Sequence, residues 1–267
     1  MQGAGNLRHL STAITPATVR VTTDERLEPL IRFCFREKPP CFAIACYLTL
    51  PGGRTKFLTI SDLEKAACAP IIVEPICFNP KAKFPYGLTV AAVRKSMEAF
   101  IDFLGFLNRQ LLTRELPRIE MLMMPANFSS LVGEFVVTSI PKHCPGLVKN
   151  RFHNGHPDLI PTGRYPGDLI LHAQDGIEVK ASRYSGAWQG HNPEKCWLMV
   201  FVFQANSSSA HDAEPVPFRF RSVYLARLKE SDWRFSGRSE TSRRTITASV
   251  TKSGEAKLRK NWIYSAQ

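Results

Sequence analysis

The chain has 267 residues, 44% hydrophobic and 22% charged, a composition that buries a sizeable core in one large domain or two small ones and excludes disorder as the main state. Its longest nearly uncharged apolar run, Cys41 to Leu50, is about half of the ~20 residues a membrane-crossing helix needs. Lys and Arg number 35 against 23 Asp and Glu, a formal charge of +12 that suits a polyanionic partner such as nucleic acid.

Residues 1–25 are polar and Thr-rich and are expected to be peripheral. Phe42 to Leu50, Pro51-Gly52-Gly53 and Lys56 to Ile60 read as strand, turn and strand. Ile71 to Phe78 is a third candidate strand, and Pro75 consigns it to a sheet edge. From Thr89 the period changes. Val90, Val93, Met97, Ile101, Leu104, Leu107 and Leu111 recur at steps of three and four and predict a long amphipathic helix. A second helix is predicted over 128–140, ended by Pro141 and Pro145. Strands are predicted over 168–173 and 177–182, joined at Gln174-Asp175-Gly176 as a hairpin. The uninterrupted apolar run 198–203 predicts a strand buried on both faces. Strands at 218–228 and 245–250 follow. The seven cysteines form no C-x-x-C and no zinc-like pairing with His, so reduced thiols are expected, without disulfide or structural zinc. No secretory signal is legible, and a cytoplasmic protein is expected.

Charge is distributed unevenly. Residues 219–260 net +8, whereas 151–218 net −2. An acidic centre beside a basic tail suits a metal-dependent site next to a phosphate-binding surface; a solvated basic face is the plainer account. Within the acidic centre, Glu178-Val179-Lys180 is the segment to weigh. A Glu-x-Lys arises by chance about once in a chain of this composition, and Glu255-Ala-Lys257 is a second one, in a polar helical stretch with no aspartate shortly before it. Glu178 and Lys180 differ by their setting. On a strand they point to one face while Ile177 and Val179 point to the other. Asp168 then adds a carboxylate from the expected partner strand. Two carboxylates can hold Mg²⁺, a hard cation that keeps several waters, and without a cation they would repel each other.

The stretch Pro157-Asp158, Asp168-Leu-Ile-Leu and Glu178-Val-Lys180 resembles the PD-(D/E)XK nuclease superfamily, most closely the type II restriction endonucleases. The resemblance covers about thirty residues, a short and degenerate motif. It implies an α/β protein with a restriction-endonuclease-like mixed β-sheet core flanked by helices over 86–267, behind an N-terminal α+β extension over 1–85 that would serve as a DNA-recognition lobe. It further implies Mg²⁺-dependent hydrolysis of double-stranded DNA, often by a homodimer, with no organic cofactor and no membrane. Glu178 matches the acidic metal ligand, Lys180 the catalytic lysine, and the Val179 carbonyl a further ligand. The motif aspartate is Asp158 or Asp168; Asp168 is preferred because it opens the expected partner strand, although Pro166-Gly167-Asp168 departs from a strict Pro-Asp. Glu134 resembles the extra glutamate some members supply from a preceding helix, with a helix-surface charge the slightly better account. Ser182, Arg183, His191, Arg238, Arg243 and Arg244 are candidate DNA contacts, and His153, Asn154 and His156, just before the Pro-Asp, are candidates on the same footing as His191. A DNA-binding protein without turnover on this fold, a repair or mobile-element nuclease, and a chance motif in a structural protein are the alternatives.

Overall fold

The computed structural model describes residues 69–266 other than 113, 115, 191–192, 194, 208–215 and 237–246, together with three strands before residue 60. The chain divides into two compact units, Met1–Ala69 with Gly105–Ile119, and Pro70–Leu104 with Glu120–Gln267. In the first, β1 (Thr18–Val21) runs parallel to β2 (Ala45–Thr49), and β2 pairs antiparallel with β3 (Thr55–Thr59). The last pairing is the expected strand-turn-strand, with Thr49 opposite Thr55.

The helical period starting at Thr89 becomes α1 (Val90–Leu112). The Thr89 hydroxyl accepts the Ala92 N–H at 3.2 Å, satisfying one of the amides that a helix start leaves open. Val93, Met97, Phe100 and Leu104 are fully buried along one stripe. The short α2 (Ile119–Leu122) precedes α3 (Pro125–Ser139), which opens on a proline and passes into a 3-10 turn containing Pro141.

Nine further strands are described: β4 (Leu147–Lys149), β5 (Leu159–Pro161), β6 (Ile177–Ser182), β7 (Gln189–Gly190), β8 (Trp197–Gln204), β9 (Arg219–Arg227), β10 (Trp233–Ser236), β11 (Thr247–Val250) and β12 (Trp262–Ser265). Between β11 and β12 lies α4 (Lys252–Lys260). Six of the strands make a mixed sheet in the order β12-β9-β8-β6-β5-β4, in which β6 and β8 run parallel and the other neighbours antiparallel. A parallel pair needs a crossover. Residues 183–196 supply it and carry β7 into a second sheet of order β10-β11-β7.

β8 lies inside the six-stranded sheet, which explains its unbroken apolar sequence. Leu198, Val200 and Val202 face a cluster with Trp188, Trp233, Val250 and Leu258 of the small sheet and α4. The alternate residues face the helices: Phe203 meets Phe128 of α3 at 5.7 Å between ring centroids, and Phe201 meets Phe220 at 6.0 Å, which in turn lies 5.8 Å from Phe100 of α1. The molecule is thus mixed α/β, with a mixed multi-strand sheet flanked by helices. Among the described residues no helix is long and apolar enough to cross a membrane.

Two expected strands are absent. Ile71 to Phe78 is irregular with a 3-10 turn at Pro75–Cys77, and only Phe78 makes a bridge, to Tyr264. Pro75 lacks the N–H a ladder needs. Residues 169–173 form no ladder with β6; His172 alone bridges, to His156. The 168–173/177–182 hairpin is not formed because β6 takes β8 as its long neighbour and meets β5 on its other edge.

α4 is held by an ion pair at its base. Asp232 is 2% exposed; its carboxylate accepts from Lys257 Nζ at 2.7 and 2.8 Å and from the Lys229 N–H at 2.8 Å. Burial alone would raise the Asp232 carboxyl, but the Lys257 bonds and the Lys229 amide outweigh it and hold the group below its ordinary value. A carboxyl lowered by folding stabilises the native state fully above its unfolded value, and that contribution is lost as pH falls through its folded value. Asp232→Asn is therefore expected to cost about 1–3 kcal/mol at neutral pH. The deficit should shrink in urea melts as pH is carried below the ordinary aspartate value; a deficit independent of pH would mean that the charge is not what matters.

Candidate functional site

β5 and β6 share one residue pair, Leu159 with Ile177, and then part. The next amide along β6 that would need an acceptor on this edge, Val179 N–H, is met instead by the Asp158 carboxylate: Val179 N donates to Asp158 Oδ2 at 2.8 Å. A side chain thus replaces the missing strand. Where the strands part, a cleft of about 1480 Å³ opens, lined by Asp158, Glu178 and Lys180, by Glu134 of α3, and by Lys149 and His156. In an extended strand a residue's N–H and C=O point to the same side, so the Val179 carbonyl faces the same open edge as Asp158.

Glu178 is 6% exposed and both of its oxygens are held. Oε2 bonds His156 Nδ1 at 2.9 Å, and Oε1 accepts from Lys180 Nζ. The far nitrogen of His156, Nε2, lies 3.5 Å from the thiol of buried Cys196. The two acids diverge in consequence. Burial, and then the Glu178 charge, push Asp158 up to about 7 against the Val179 amide and Lys180. For Glu178 burial also acts upward, but the His156 hydrogen bond and the Lys180 ammonium prevail and bring it down to about 2. Two carboxyls that cannot comfortably both ionise are arranged at one open strand edge.

The loop carrying Asp158 is fastened by Asn150. Its Nδ2 donates to the carbonyls of Pro157 at 3.1 Å and Ile170 at 2.8 Å, and its Oδ1 accepts the N–H groups of Phe152 and Ile170 at 3.1 and 3.2 Å. All four hydrogen-bonding positions of the amide are used. Gly176, at φ 145°, is needed for the same closeness, since a Cβ there would fall on the Leu159 carbonyl oxygen and the Pro157 ring.

Asp158, Glu178 and Lys180 are therefore together, and Asp168 is not with them. Asp168 ends a 3-10 turn, with φ 58° following Gly167 at 64°, and does not line the cleft. Asp tolerates this left-handed conformation, and that turn is the position its sequence suits. Glu134 does line the cleft, paired at 2.7 Å with Lys149. Ser182 and Arg183 lie past the lining. The Ser182 hydroxyl accepts the Tyr184 N–H, while the Arg183 guanidinium lies 5.4 Å from the rings of both Phe128 and Phe203 and donates to the Ala205 carbonyl. Arg183 thus packs on the aromatic rings of α3 and β8. His191, Arg238, Arg243 and Arg244 lie outside the described residues. Sequence reasoning missed Asn150 altogether, because its partners at 152, 157 and 170 are backbone groups that no motif marks. It named His156 only as a possible substrate contact, not as the partner of Glu178.

The second Glu-x-Lys has a structural occupation. Glu255 accepts the Ala187 N–H at 2.5 Å, and Lys257 holds Asp232. No protein-family model, curated protein or solved structure matches the chain.

Among the described residues no group of three or more His, Cys, Asp or Glu side chains is disposed to hold a metal. The donors gathered at the Val179 edge are the carboxylates of Asp158 and Glu178 and one carbonyl, an oxygen set that suits Mg²⁺ with its retained waters rather than zinc. Asn150→Ala is expected to lower stability by about 3 kcal/mol, because it leaves buried backbone groups without partners. Asn150→Asp, which keeps the acceptor but sets a carboxylate oxygen against the carbonyls of Pro157 and Ile170, should lower the urea midpoint as well. Two variants melting with the wild type would show that the loop does not depend on this amide.

Proposed function

We propose that the protein is a Mg²⁺-dependent endonuclease of the PD-(D/E)XK type, with a restriction-endonuclease-like core, that hydrolyses phosphodiester bonds of double-stranded DNA in the sequence-specific manner of a type II restriction enzyme. The observation that carries this reading is the convergence of Asp158, Glu178 and Lys180 at the strand edge where β5 and β6 part. The motif aspartate is then Asp158, the one that directly follows a proline.

Asp158 and Glu178 would hold the cation, with the Val179 carbonyl beside them. Bound there, Mg²⁺ supplies charge neutralisation for a phosphoryl oxygen and a more acidic water. The chain's own groups do the rest. His156 orients Glu178 through Oε2 and keeps it ionised. Lys180, a compact point charge bonded to Glu178 Oε1 and reaching the cleft, would hold the attacking water or a phosphoryl oxygen.

Mixed-sequence duplex DNA incubated with Mg²⁺ is expected to yield discrete fragments, and none in EDTA. Lys180→Ala and Asp158→Asn should each slow cutting by about 10²-fold or more while leaving duplex affinity close to the wild type's. Cutting that survives EDTA or Lys180→Ala would overturn the assignment. A second readout needs no turnover: His156→Ala should weaken Mn²⁺ binding, followed by calorimetry, about 10- to 100-fold, as loss of an orienting partner does at other metal carboxylates. Unchanged Mn²⁺ affinity would remove His156 from the site's machinery.

A further inference from the structure

We propose that the phosphate-binding track of this protein leaves the catalytic cleft over Lys195 and continues along Arg227 and Lys229. The inference rests on the nuclease reading and adds where the duplex lies. A second concavity of about 460 Å³ is lined by Gln174, Lys195, Arg227, Lys229, Glu230 and Ser231, and it shares Gln174 and Lys195 with the cleft that holds Asp158, Glu178 and Lys180. The two hollows therefore adjoin at Gln174 and Lys195.

The sheet register explains why the cations gather there. Ile177, Trp197 and Arg227 stand in one row across β6, β8 and β9. Because β6 and β8 run parallel and β9 antiparallel, the residues just before β8 and just after β9 emerge at the same end, and these are Lys195 and Lys229. The Leu228 N–H donates to the Cys196 carbonyl at 3.0 Å, tying the two exits together. Glu178 and Lys229 are two strands and three residue positions apart, roughly 14 Å on ordinary strand spacing and rise. At about 3.4 Å of duplex axis per phosphate of one strand, that distance matches about four phosphates.

Electrostatics agrees. Lys195, Arg227 and Lys229 are exposed, and among the described residues the acid lining the second hollow is Glu230, paired with Lys195 at 2.7 Å. That pair is half or more exposed on both sides, and exposed pairs are weak, so Lys195 exchanges it for a phosphate readily.

The test is fluorescence anisotropy of a labelled mixed-sequence duplex in EDTA, titrated between about 50 and 200 mM salt. For the triple variant K195A/R227A/K229A, the slope of log K against log salt should become shallower by about 3 relative to the wild type, close to one for each phosphate that is no longer neutralised. The charge-keeping triple K195R/R227K/K229R should retain the wild-type slope, which separates lost charge from a damaged fold. A wild type that binds duplex while the alanine triple keeps its slope overturns the track and leaves the nuclease reading standing. A wild type that does not bind duplex at any of these salts overturns both.

Discussion

A single backbone amide organises the centre of this molecule. Because β5 begins only at Leu159, opposite Ile177, and runs antiparallel to β6, the Val179 N–H two residues further along β6 has no strand to bond, and a buried amide without a partner is costly. The Asp158 carboxylate fills that place at 2.8 Å. Doing so brings an acid beside Glu178, leaves the edge of β6 open, and creates the cleft. Asn150 and Gly176 make that position tenable, the first by fastening the loop at 157 and 170, the second by allowing the chain to pass close to Pro157 and Leu159.

The electrostatic consequence follows from the fold rather than from the acids themselves. Burial raises both acids; Glu178 is bonded by His156 and Lys180 and is held low, whereas Asp158 has the Glu178 charge beside it and is pushed up against the Val179 amide and Lys180. Such divergence between two adjacent carboxyls is a mark of functional sites, though structural networks produce it as well. Asp232 illustrates the structural kind. It is buried too, but its partners are Lys257 and a backbone amide, no second carboxylate is among them, and its bonds anchor α4.

The two Glu-x-Lys tripeptides show how little a motif says without its setting. Glu178 and Lys180 lie on a strand, two residues apart on one face, and bond each other. Glu255 and Lys257 lie on a helix, where a two-residue step turns side chains well apart, and each bonds a different segment. The period of the surrounding sequence distinguished them before any coordinates: alternation around Glu178, a polar helical stretch around Glu255.

What the sequence determined by itself was local in kind. The three-to-four-residue stripe of α1, the apolar run of β8 and the side-by-side placement of Glu178 and Lys180 follow from periods of 3.6 and 2 that each segment carries within itself. Which strand lies beside β6 was beyond it. Asp168 and Asp158 are both followed by short apolar runs, and nothing local says that one precedes a true strand while the other ends a left-handed turn. Nor do residues 195 and 229 reveal that they emerge side by side. These facts depend on register between strands far apart in the chain, and register is settled by which faces and edges the whole core can bury together; only the tertiary structure decided them.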